Sequence, residues 1–258
     1  MHAHFVLAHP EPKSFNAHLA RSGIEKLEAQ GWTTTISDLY ALHFDPCEGP
    51  THFAIPLDAA RFDAQAEQRH ASDNSTLPFA VTEELARIDR ADLVVLQYPM
   101  WWHLPPAMLK GWFDRVFAYG AAYTSAMRFE EGRFLGRRAM LSVTVGTSPE
   151  TYSHDGRSGD IEMLLWPVNF SLAYVGFTVL EPFVAYGVEA GLRYSDPAVV
   201  QARLDRVTAD LADALHGIEG RRTMLFNRKA EWGADGRIMP GAPVHSPFIR
   251  RKRKLEIE

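Results

Sequence analysis

Residues 92–98 (DLVVLQY) constrain the fold of this chain more than any other segment. The run is almost continuously apolar, with no alternation of polar residues, so a strand formed here must be covered on both faces. Strands of that kind belong to parallel sheets that carry helices on either side. The segment therefore predicts an α/β fold with this strand well inside the sheet.

The rest of the chain alternates between strand and helix patterns. Apolar residues at helical spacing predict a first helix, for which Ser14 is the expected N-cap. Short β-branched or apolar runs predict further strands, at residues 4–8, 32–39, 139–145 and 177–184. Later helices are predicted at residues 105–117, 160–174 and 200–215.

Five strands that alternate with helices predict a doubly wound parallel sheet. Such sheets bind ligands beyond the carboxyl ends of their strands, which directs attention to the loops at residues 9–16, 98–105 and 145–160. Two regions fit the alternation poorly, an insertion at 46–78 and a polar tail. We therefore expect a domain at residues 1–219 and a C-terminal extension, 220–258, that packs on the domain or on a partner subunit.

Composition excludes several classes of protein. The net charge of −5 argues against a general nucleic-acid binder, because an acidic protein is repelled by phosphates. No apolar stretch approaches the ~18 residues needed to cross a bilayer, so no integral membrane segment is expected. Cys47 is the single cysteine, which excludes an internal disulfide and a cysteine-built metal site. We expect no bound metal and a cytoplasmic location.

Common motifs of α/β enzymes are missing from the predicted loops. The loop after the first strand lacks G-x-G-x-x-G, and the chain has no G-x-x-x-x-G-K-[ST], which argues against dinucleotide-binding and phosphate-loop folds. Residues 156–159 (GRSG) are one residue too short for the hydrolase motif G-x-S-x-G. Among doubly wound folds, a flavodoxin-like flavin binder remains.

The first loop, His9 to Asn16 (HPEPKSFN), opens directly into a helix. Unpaired N–H groups at a helix start, together with Lys13 and Ser14, suit a pyrophosphate. An ordinary capped helix start would give the same pattern.

The second loop carries Trp101 and Trp102 next to each other at the end of the buried strand. Neighbouring strand residues point to opposite faces, so both rings cannot enter one core. One of them must meet a ligand, a partner subunit or solvent, and a flat flavin ring would satisfy it. A tryptophan that covers the sheet or forms a dimer contact is the alternative.

The third loop follows the strand at 139–145 and begins with small and hydroxyl residues, 144–148 (TVGTS). Such residues allow a ring to approach the backbone, and Tyr152 then offers a phenolic hydroxyl beside it. His154 and Asp155 are interpreted as a solvated loop in preference to a metal site.

These segments, in this order and spacing, resemble the NAD(P)H:quinone oxidoreductase family, the DT-diaphorase-like branch of flavodoxin-like proteins. The resemblance spans roughly residues 3–215, and its most specific parts are residues 10–16 (PEPKSFN) and 109–117 (LKGWFDRVF). It implies a flavodoxin-like, doubly wound, five-stranded parallel sheet and a homodimer that binds FAD. FMN is the alternative flavin, and NAD(P)H and a quinone are the implied substrates.

The resemblance also implies a role for individual residues. Tyr152 matches a family tyrosine near the flavin and the quinone, and Tyr123 matches an aromatic residue that closes the substrate cavity, usually from the partner subunit. Trp102 and His154 are the other expected substrate contacts. The flavin contacts implied by position are His9, Lys13, Ser14, Phe15, Asn16, Pro99, Met100, Trp101, Trp102, His103, Thr144, Val145, Gly146, Thr147 and Tyr152.

Three positions depart from the mammalian pattern of the family. Ser158 stands where that pattern has a histidine that acts with the tyrosine, Thr147 replaces the second of two glycines, and His103 replaces an aromatic residue. His154 or His103 is the candidate replacement for the missing imidazole. These changes concern the proton donor and the range of acceptors.

The implied reaction is a ping-pong transfer of hydride from NAD(P)H through the flavin to a quinone. An FMN-dependent azo- or nitroreductase is the nearest alternative, since it shares fold and mechanism. A flavin-binding regulatory subunit of a potassium-efflux system is a second, and a flavodoxin-type electron carrier is a third. The carrier is disfavoured because Trp101, Trp102, Tyr123 and Tyr152 indicate a walled cavity.

Overall fold

The computed structural model describes residues 1–189 and 195–251 of the 258-residue chain. One parallel sheet runs in the order β2-β1-β3-β4-β5, and β6 also pairs with β4. The strands are β1 (His2–Leu7), β2 (Thr33–Asp38), β3 (Leu93–Pro99), β4 (Arg138–Thr144), β5 (Thr178–Val179) and β6 (Phe183–Ala185). The α-helices are α1 (Phe15–Glu28), α2 (Ala64–Asp73), α3 (Phe79–Arg90), α4 (Ala107–Val116), α5 (Ile161–Tyr174) and α6 (Pro197–His216).

Helices cover both faces of the sheet, as the sequence of β3 predicts. All seven residues of β3 are buried, and they alternate between two hydrophobic cores. Val94 and Leu96 join the core formed with α3, α4 and α5, whereas Leu93 and Val95 join the core formed with α1 and α6. The predicted doubly wound α/β fold is confirmed.

The structure differs from the sequence prediction in two regions. The single strand predicted at 177–184 is two short strands separated by residues 180–182, of which Pro182 has no N–H to donate to a ladder. The insertion at 46–78 contains α2, whose buried residues include Glu67 and Gln68. A helix that buries polar side chains lacks the apolar periodicity by which helices are predicted. Helix α3 was also absent from the prediction.

The tail continues the sheet beyond β5. The N–H of Met224 donates to the carbonyl of Val179 at 2.8 Å, and the N–H of Glu181 donates to the carbonyl of Arg222 at 2.8 Å. The ring of Phe226 lies 5.0 Å from that of Trp166 in α5. Residues 222–226 therefore pack on the domain of their own chain, while 252–258 of the expected extension lie outside the described residues. Within 1–189 and 195–251, no helix combines the length and apolar character needed to cross a membrane.

A polar network lies inside the core on the α3 and α4 side of the sheet. His4 in β1 is fully buried, and its Nδ1 lies 2.9 Å from Thr35 Oγ1 in β2. Ser37 Oγ donates to Glu84 Oε1 at 2.7 Å, and Trp112 Nε1 donates to Glu84 Oε2 at 2.8 Å. Burial lowers the pKa of His4 to about 3, so its imidazole is neutral at pH 7.

This neutral histidine makes the fold sensitive to acid. In the unfolded chain His4 takes up a proton below about pH 6.5, whereas in the folded chain it stays neutral until the pH approaches its lowered pKa. The free energy of unfolding therefore falls by about 2 kcal/mol between about pH 6.5 and pH 5 on account of His4. Urea unfolding of the protein and of His4→Gln at the two ends of this range measures the difference. The pH dependence of the variant is expected to be weaker by that amount, and equal slopes would contradict the assignment.

Candidate functional site

The three loops expected to bind a ligand lie at the carboxyl ends of β1, β3 and β4. Strand β1 lies between β2 and β3, so the chain leaves β1 in one direction and returns to its other side. The helices that follow β1 and β3 lie on opposite faces of the sheet, which makes this the switch point at which doubly wound sheets bind ligands. The sheet thus brings residues 8–15, 100–106 and 145–160 to one edge.

The first loop is folded tightly onto the start of α1. Ser14 is the N-cap, and its Oγ accepts the N–H of Ala17 at 3.1 Å. The carboxylate of Glu11 accepts the N–H of Lys13 at 2.8 Å. In the described part of the chain, the N–H groups of Phe15 and Asn16 have no acceptor. Two such donors and the positive end of a helix dipole are suited to an anion.

His9 is held as a neutral side chain beside the second loop. Its Nδ1 accepts the N–H of Glu11 at 3.0 Å, so the proton of the neutral ring lies on Nε2. Burial lowers the pKa of His9, which favours this neutral form. Its ring meets the ring of Trp101 edge-on, with centroids 5.9 Å apart. His9 therefore presents an N–H donor and no charge.

The second loop makes a tight reverse turn. Trp101 and Leu104 exchange two backbone hydrogen bonds, of 2.9 and 3.0 Å, and enclose Trp102 and His103. Both enclosed residues have positive φ angles, 52° and 64°, which is the pattern of a type I′ turn. Bulky residues in this conformation each cost about 1–3 kcal/mol. The turn leaves Trp102 93% exposed.

The third loop leaves β4 with its backbone open on one side. The N–H of Val145 donates to the carbonyl of Ala185 at 2.9 Å, which prolongs the pairing of β4 with β6. A side chain at Gly146 would meet a single protein atom within 4 Å, the carbonyl oxygen of Val188 at 3.8 Å. A flat ligand can therefore approach the backbone here. Farther along, Gly156 packs so closely on the carbonyl of Thr151 that a Cβ would lie 2.4 Å from it.

Tyr152 ends a short 3-10 helix, Pro149–Tyr152, inside the third loop. It is half-buried against the core, and its ring lies 6.3 Å from that of Tyr186. His154 lies on the outer side of the same loop, with its side chain 85% exposed and its Nδ1 3.9 Å from Asp155 Oδ1. Tyr152 is thus half-buried, whereas His154, the candidate imidazole two residues later, is exposed.

Tyr123 lies outside the three loops. It lines a cavity of about 500 Å³ next to Leu104, between α4 and α5. Its ring lies 5.6 Å from that of Tyr174, and its hydroxyl is 3.5 Å from Gln65 Nε2 in α2. The unpredicted helix α2 therefore supports the aromatic residue that the resemblance places at the substrate.

Three buried side chains, those of Asn16, Gln97 and Thr144, form a hydrogen-bonded network that connects the ends of β1, β3 and β4. The sequence did not predict this network. Asn16 Nδ2 donates to Thr144 Oγ1 at 2.9 Å, and Gln97 Nε2 donates to Asn16 Oδ1 at 2.8 Å. All three side chains are buried, and Gln97 Oε1 has no partner within the described ranges. The available signal was an amide inside the otherwise apolar run of β3.

Comparisons with known proteins agree with this fold. A family model described as flavodoxin-like fold matches residues 1–211. NAD(P)H dehydrogenase [quinone] 1 of Cavia porcellus is 40% identical over 185 residues, which cover 71% of this chain and 67% of that protein. Ribosyldihydronicotinamide dehydrogenase [quinone] of Homo sapiens is 35% identical over 204 residues, which cover 78% of this chain and 88% of that protein. This chain belongs to the NAD(P)H:quinone oxidoreductase family of flavodoxin-like proteins.

A solved structure extends the similarity over nearly the whole chain. A provisionally assigned quinone reductase from Klebsiella pneumoniae superposes with a TM-score of 0.84 at 30% identity, covering 93% of this chain and 94% of that one. The family resemblance and the flavodoxin-like fold expected from the sequence are therefore confirmed.

The amide network predicts a large effect of one substitution. Asn16→Leu keeps the size of the side chain but leaves Gln97 Nε2 and Thr144 Oγ1 buried without their partner. We expect the free energy of unfolding to fall by about 2–4 kcal/mol, since each orphaned buried group costs roughly 1–3 kcal/mol. Thr144→Val, which orphans only Asn16 Nδ2, should cost about half as much. Urea unfolding tests both variants, and an Asn16→Leu protein as stable as the wild type would contradict the network.

Proposed function

We propose that this chain is an FAD-dependent NAD(P)H:quinone oxidoreductase that works as a homodimer. The observation that carries the proposal is the convergence of the three loops. The N–H groups of Phe15 and Asn16, which have no acceptor among the described residues, the exposed ring of Trp102 and the open backbone at Gly146 all lie at the carboxyl edge of the sheet. We place the enzyme in the cytoplasm, where a reducing environment keeps an exposed thiol such as Cys47 free.

The residues of the three loops suit a flavin. The start of α1 offers donors and a positive dipole to a pyrophosphate, with the exposed Lys13 beside it. The second and third loops offer a flat surface and open backbone to the ring system. A bound flavin supplies the capacity to accept and release hydride, and the protein supplies position and electrostatics. The proposed contacts are His9, Lys13, Ser14, Phe15, Asn16, Pro99, Met100, Trp101, Trp102, His103, Thr144, Val145, Gly146, Thr147 and Tyr152.

Tyr152 is the proposed proton donor of the site. Its hydroxyl stabilises negative charge that develops on an acceptor oxygen, and a positioned donor contributes about 10²–10⁴ in rate. His154 points to solvent, and Ser158 stands where an imidazole is expected, so we assign this role to Tyr152 without a histidine relay. Neutral His9 adds an N–H donor from the side of the first loop.

A second copy of the chain would complete the quinone site. The cavity next to Tyr123 opens among exposed apolar side chains, with Leu104 61% exposed and Phe170 38% exposed. Exposed apolar patches of this kind mark contacts between proteins. In the proposed dimer, Tyr123 of one protomer closes the substrate cavity of the other, so neither protomer has a complete site alone.

The proposed function is tested on the purified protein. We expect a yellow protein from which FAD is released on denaturation and identified by its mass. Oxidation of NADH or NADPH, followed by absorbance, should be slow alone and fast when menadione is added. A protein that is colourless and binds no added FAD would contradict the flavin site. One that binds FAD but does not accelerate with menadione would be a carrier or a regulator.

The role of Tyr152 predicts a loss that is specific to its hydroxyl. Tyr152→Phe should keep its flavin, because the ring still packs on the core, and lose about 10²-fold in the rate of menadione reduction. Tyr186→Phe is the matched control, since it removes a hydroxyl from the neighbouring ring. Full activity in Tyr152→Phe, or an equal loss in Tyr186→Phe, would contradict the role of Tyr152 as the proton donor.

The proposed dimer predicts a mass of twice 29.0 kDa by light scattering. Leu104→Glu should shift the protein toward monomer and lower its menadione reduction, because a carboxylate buried in an interface without a partner costs several kcal/mol. The side chain of Leu42 is also exposed but lies away from this cavity, so Leu42→Glu should remain dimeric. Monomeric wild-type protein with full activity would exclude the dimer.

A further inference from the structure

Helix α2 packs against the segment that carries Tyr123. This segment, residues 118–123, follows α4 and is called the Tyr123 loop below. It folds back on itself, so that the N–H of Gly120 donates to the carbonyl of Tyr123 at 2.8 Å. Gly120 has a φ of +93°, and a Cβ there would lie 2.9 Å from Cδ of Arg69 and 3.1 Å from Cβ of Ser72. Both of those residues belong to α2, so the helix and the loop are in direct contact.

Gln68 joins α2 to the Tyr123 loop by hydrogen bonds. It is buried, and its Oε1 accepts the N–H of Tyr119 at 2.9 Å. Its Nε2 donates to the carbonyl of Asp114 at 3.1 Å and to Glu48 Oε2 at 2.8 Å. Asp114 lies in the last turn of α4, where carbonyls have no partner within the helix. One side chain thus satisfies both the end of α4 and the start of the loop that follows it.

The hydrogen bonds of Gln68 fix the orientation of its amide. Exchange of its oxygen and nitrogen would place Nε2 against the N–H of Tyr119 and Oε1 against two acceptors. The carboxylate of Glu48 is itself held in place, because its Oε1 accepts the N–H of Gly49 at 3.0 Å and lies 3.9 Å from Nε of the buried Arg115. This position therefore needs a donor and an acceptor on one side chain, and glutamine supplies both.

The position of Tyr119 sets that of Tyr123. The two residues form an isolated β-bridge, and their rings meet edge-on with centroids 5.4 Å apart. Tyr123 lines the cavity of about 500 Å³ between α4 and α5, and Gln68 lines the same cavity. The hydroxyl of Tyr123 lies 3.5 Å from Nε2 of Gln65, which is exposed. Of these two glutamines of α2, Gln68 makes the shorter and more buried hydrogen bond to the loop.

We propose that Gln68 is a positioning residue for the binding of the quinone. It holds the Tyr123 loop against α2 and thereby keeps Tyr123 where it closes the substrate cavity of the partner protomer. Gln68 acts through Tyr123, since both of its own polar atoms are already bonded within the protein. The inference rests on the proposed function and the proposed dimer.

The variant that tests this role is Gln68→Met, which keeps the length of the side chain but removes the amide. In the flavin-loaded protein we expect the KM for menadione to rise about tenfold, the effect of one lost hydrogen bond. The kcat should change by less than about twofold, because Tyr123 binds the acceptor and takes no part in proton or hydride transfer. A substitution that only weakened the fold would not separate the two constants in this way.

A double-mutant cycle tests whether Gln68 acts through Tyr123. Tyr123→Ala alone should also raise the KM for menadione. Once the ring is absent, the addition of Gln68→Met should change that KM by less than about twofold, because no ring remains to be positioned. Effects that multiply in the double variant would overturn the proposal.

Ser37→Ala is the matched control for the loss of a buried hydrogen bond. Ser37 Oγ donates to Glu84 Oε1 at 2.7 Å inside the core, and Ser37 does not line the cavity next to Tyr123. We expect a lower melting temperature in both Ser37→Ala and Gln68→Met, but a higher KM only in Gln68→Met. A similar rise of KM in Ser37→Ala would overturn the proposal, because it would be a general effect of stability.

If Gln68→Met does not fold, Gly120→Ala tests the same contact from the side of the loop. The added Cβ would press on Arg69 and Ser72 and move the loop away from α2. We expect the same rise of KM with little change in kcat, and an unchanged KM would overturn the proposal.

Hydrogen exchange, followed by mass spectrometry, measures the contact without any enzymatic activity. Residues 117–124 should exchange at least about tenfold faster in Gln68→Met than in the wild type, and at the wild-type rate in Ser37→Ala. Equal exchange in Gln68→Met and the wild type would overturn the inference even in an active enzyme. A wild type that does not reduce menadione would overturn the proposed function and this inference together. An active wild type with an unchanged KM in Gln68→Met would overturn this inference alone.

Discussion

Burial of β3 on both faces limits where this protein can place polar groups. Along the strand, side chains enter one core or the other, and an unpaired polar atom in either is costly. Gln97, two residues before the strand ends, brings a side-chain amide into this setting, and its Nε2 needs an acceptor. It finds Asn16 at the start of α1, which in turn reaches Thr144 at the end of β4. The hydrogen bonds of these three side chains thus connect the carboxyl end of β3 with the start of α1 and the end of β4.

The strained turn from Trp101 to Leu104 follows directly on this hydrogen-bonded end of β3. Trp102 and His103 hold backbone conformations that bulky residues avoid. The compensation comes from the pairing of Trp101 with Leu104 and from the bond of Met100 to Thr144, whose N–H to O distance is 2.9 Å. Strain of this kind persists where the surroundings overdetermine the backbone, and it is frequent at functional sites.

The sequence predicted the parts of the molecule that depend on local or periodic signals. The central strand, the Ser14 cap and the positions of the three loops follow from apolar runs and helix chemistry. Helix α2 was not predicted because its buried residues include the polar Glu67 and Gln68. The last strand was predicted as one segment, but the chain forms two short strands on either side of residues 180–182. The exposure of His154 agrees with its interpretation as part of a solvated loop. The hydrogen bonds that join Asn16, Gln97 and Thr144 depend on how distant segments pack, which no pattern in a single sequence records.

The pairing of the tail with the sheet has a consequence for the behaviour of the chain in solution. Strand β5 has only two residues and stands at the end of the path β2-β1-β3-β4-β5. The bonds of Met224 to Val179 and of Glu181 to Arg222 cover its outer edge with an antiparallel segment. An uncovered edge is a template on which a second chain can add a strand, the first step of aggregation. The tail of this protein therefore protects the β5 edge of the sheet from pairing with a strand of a second chain.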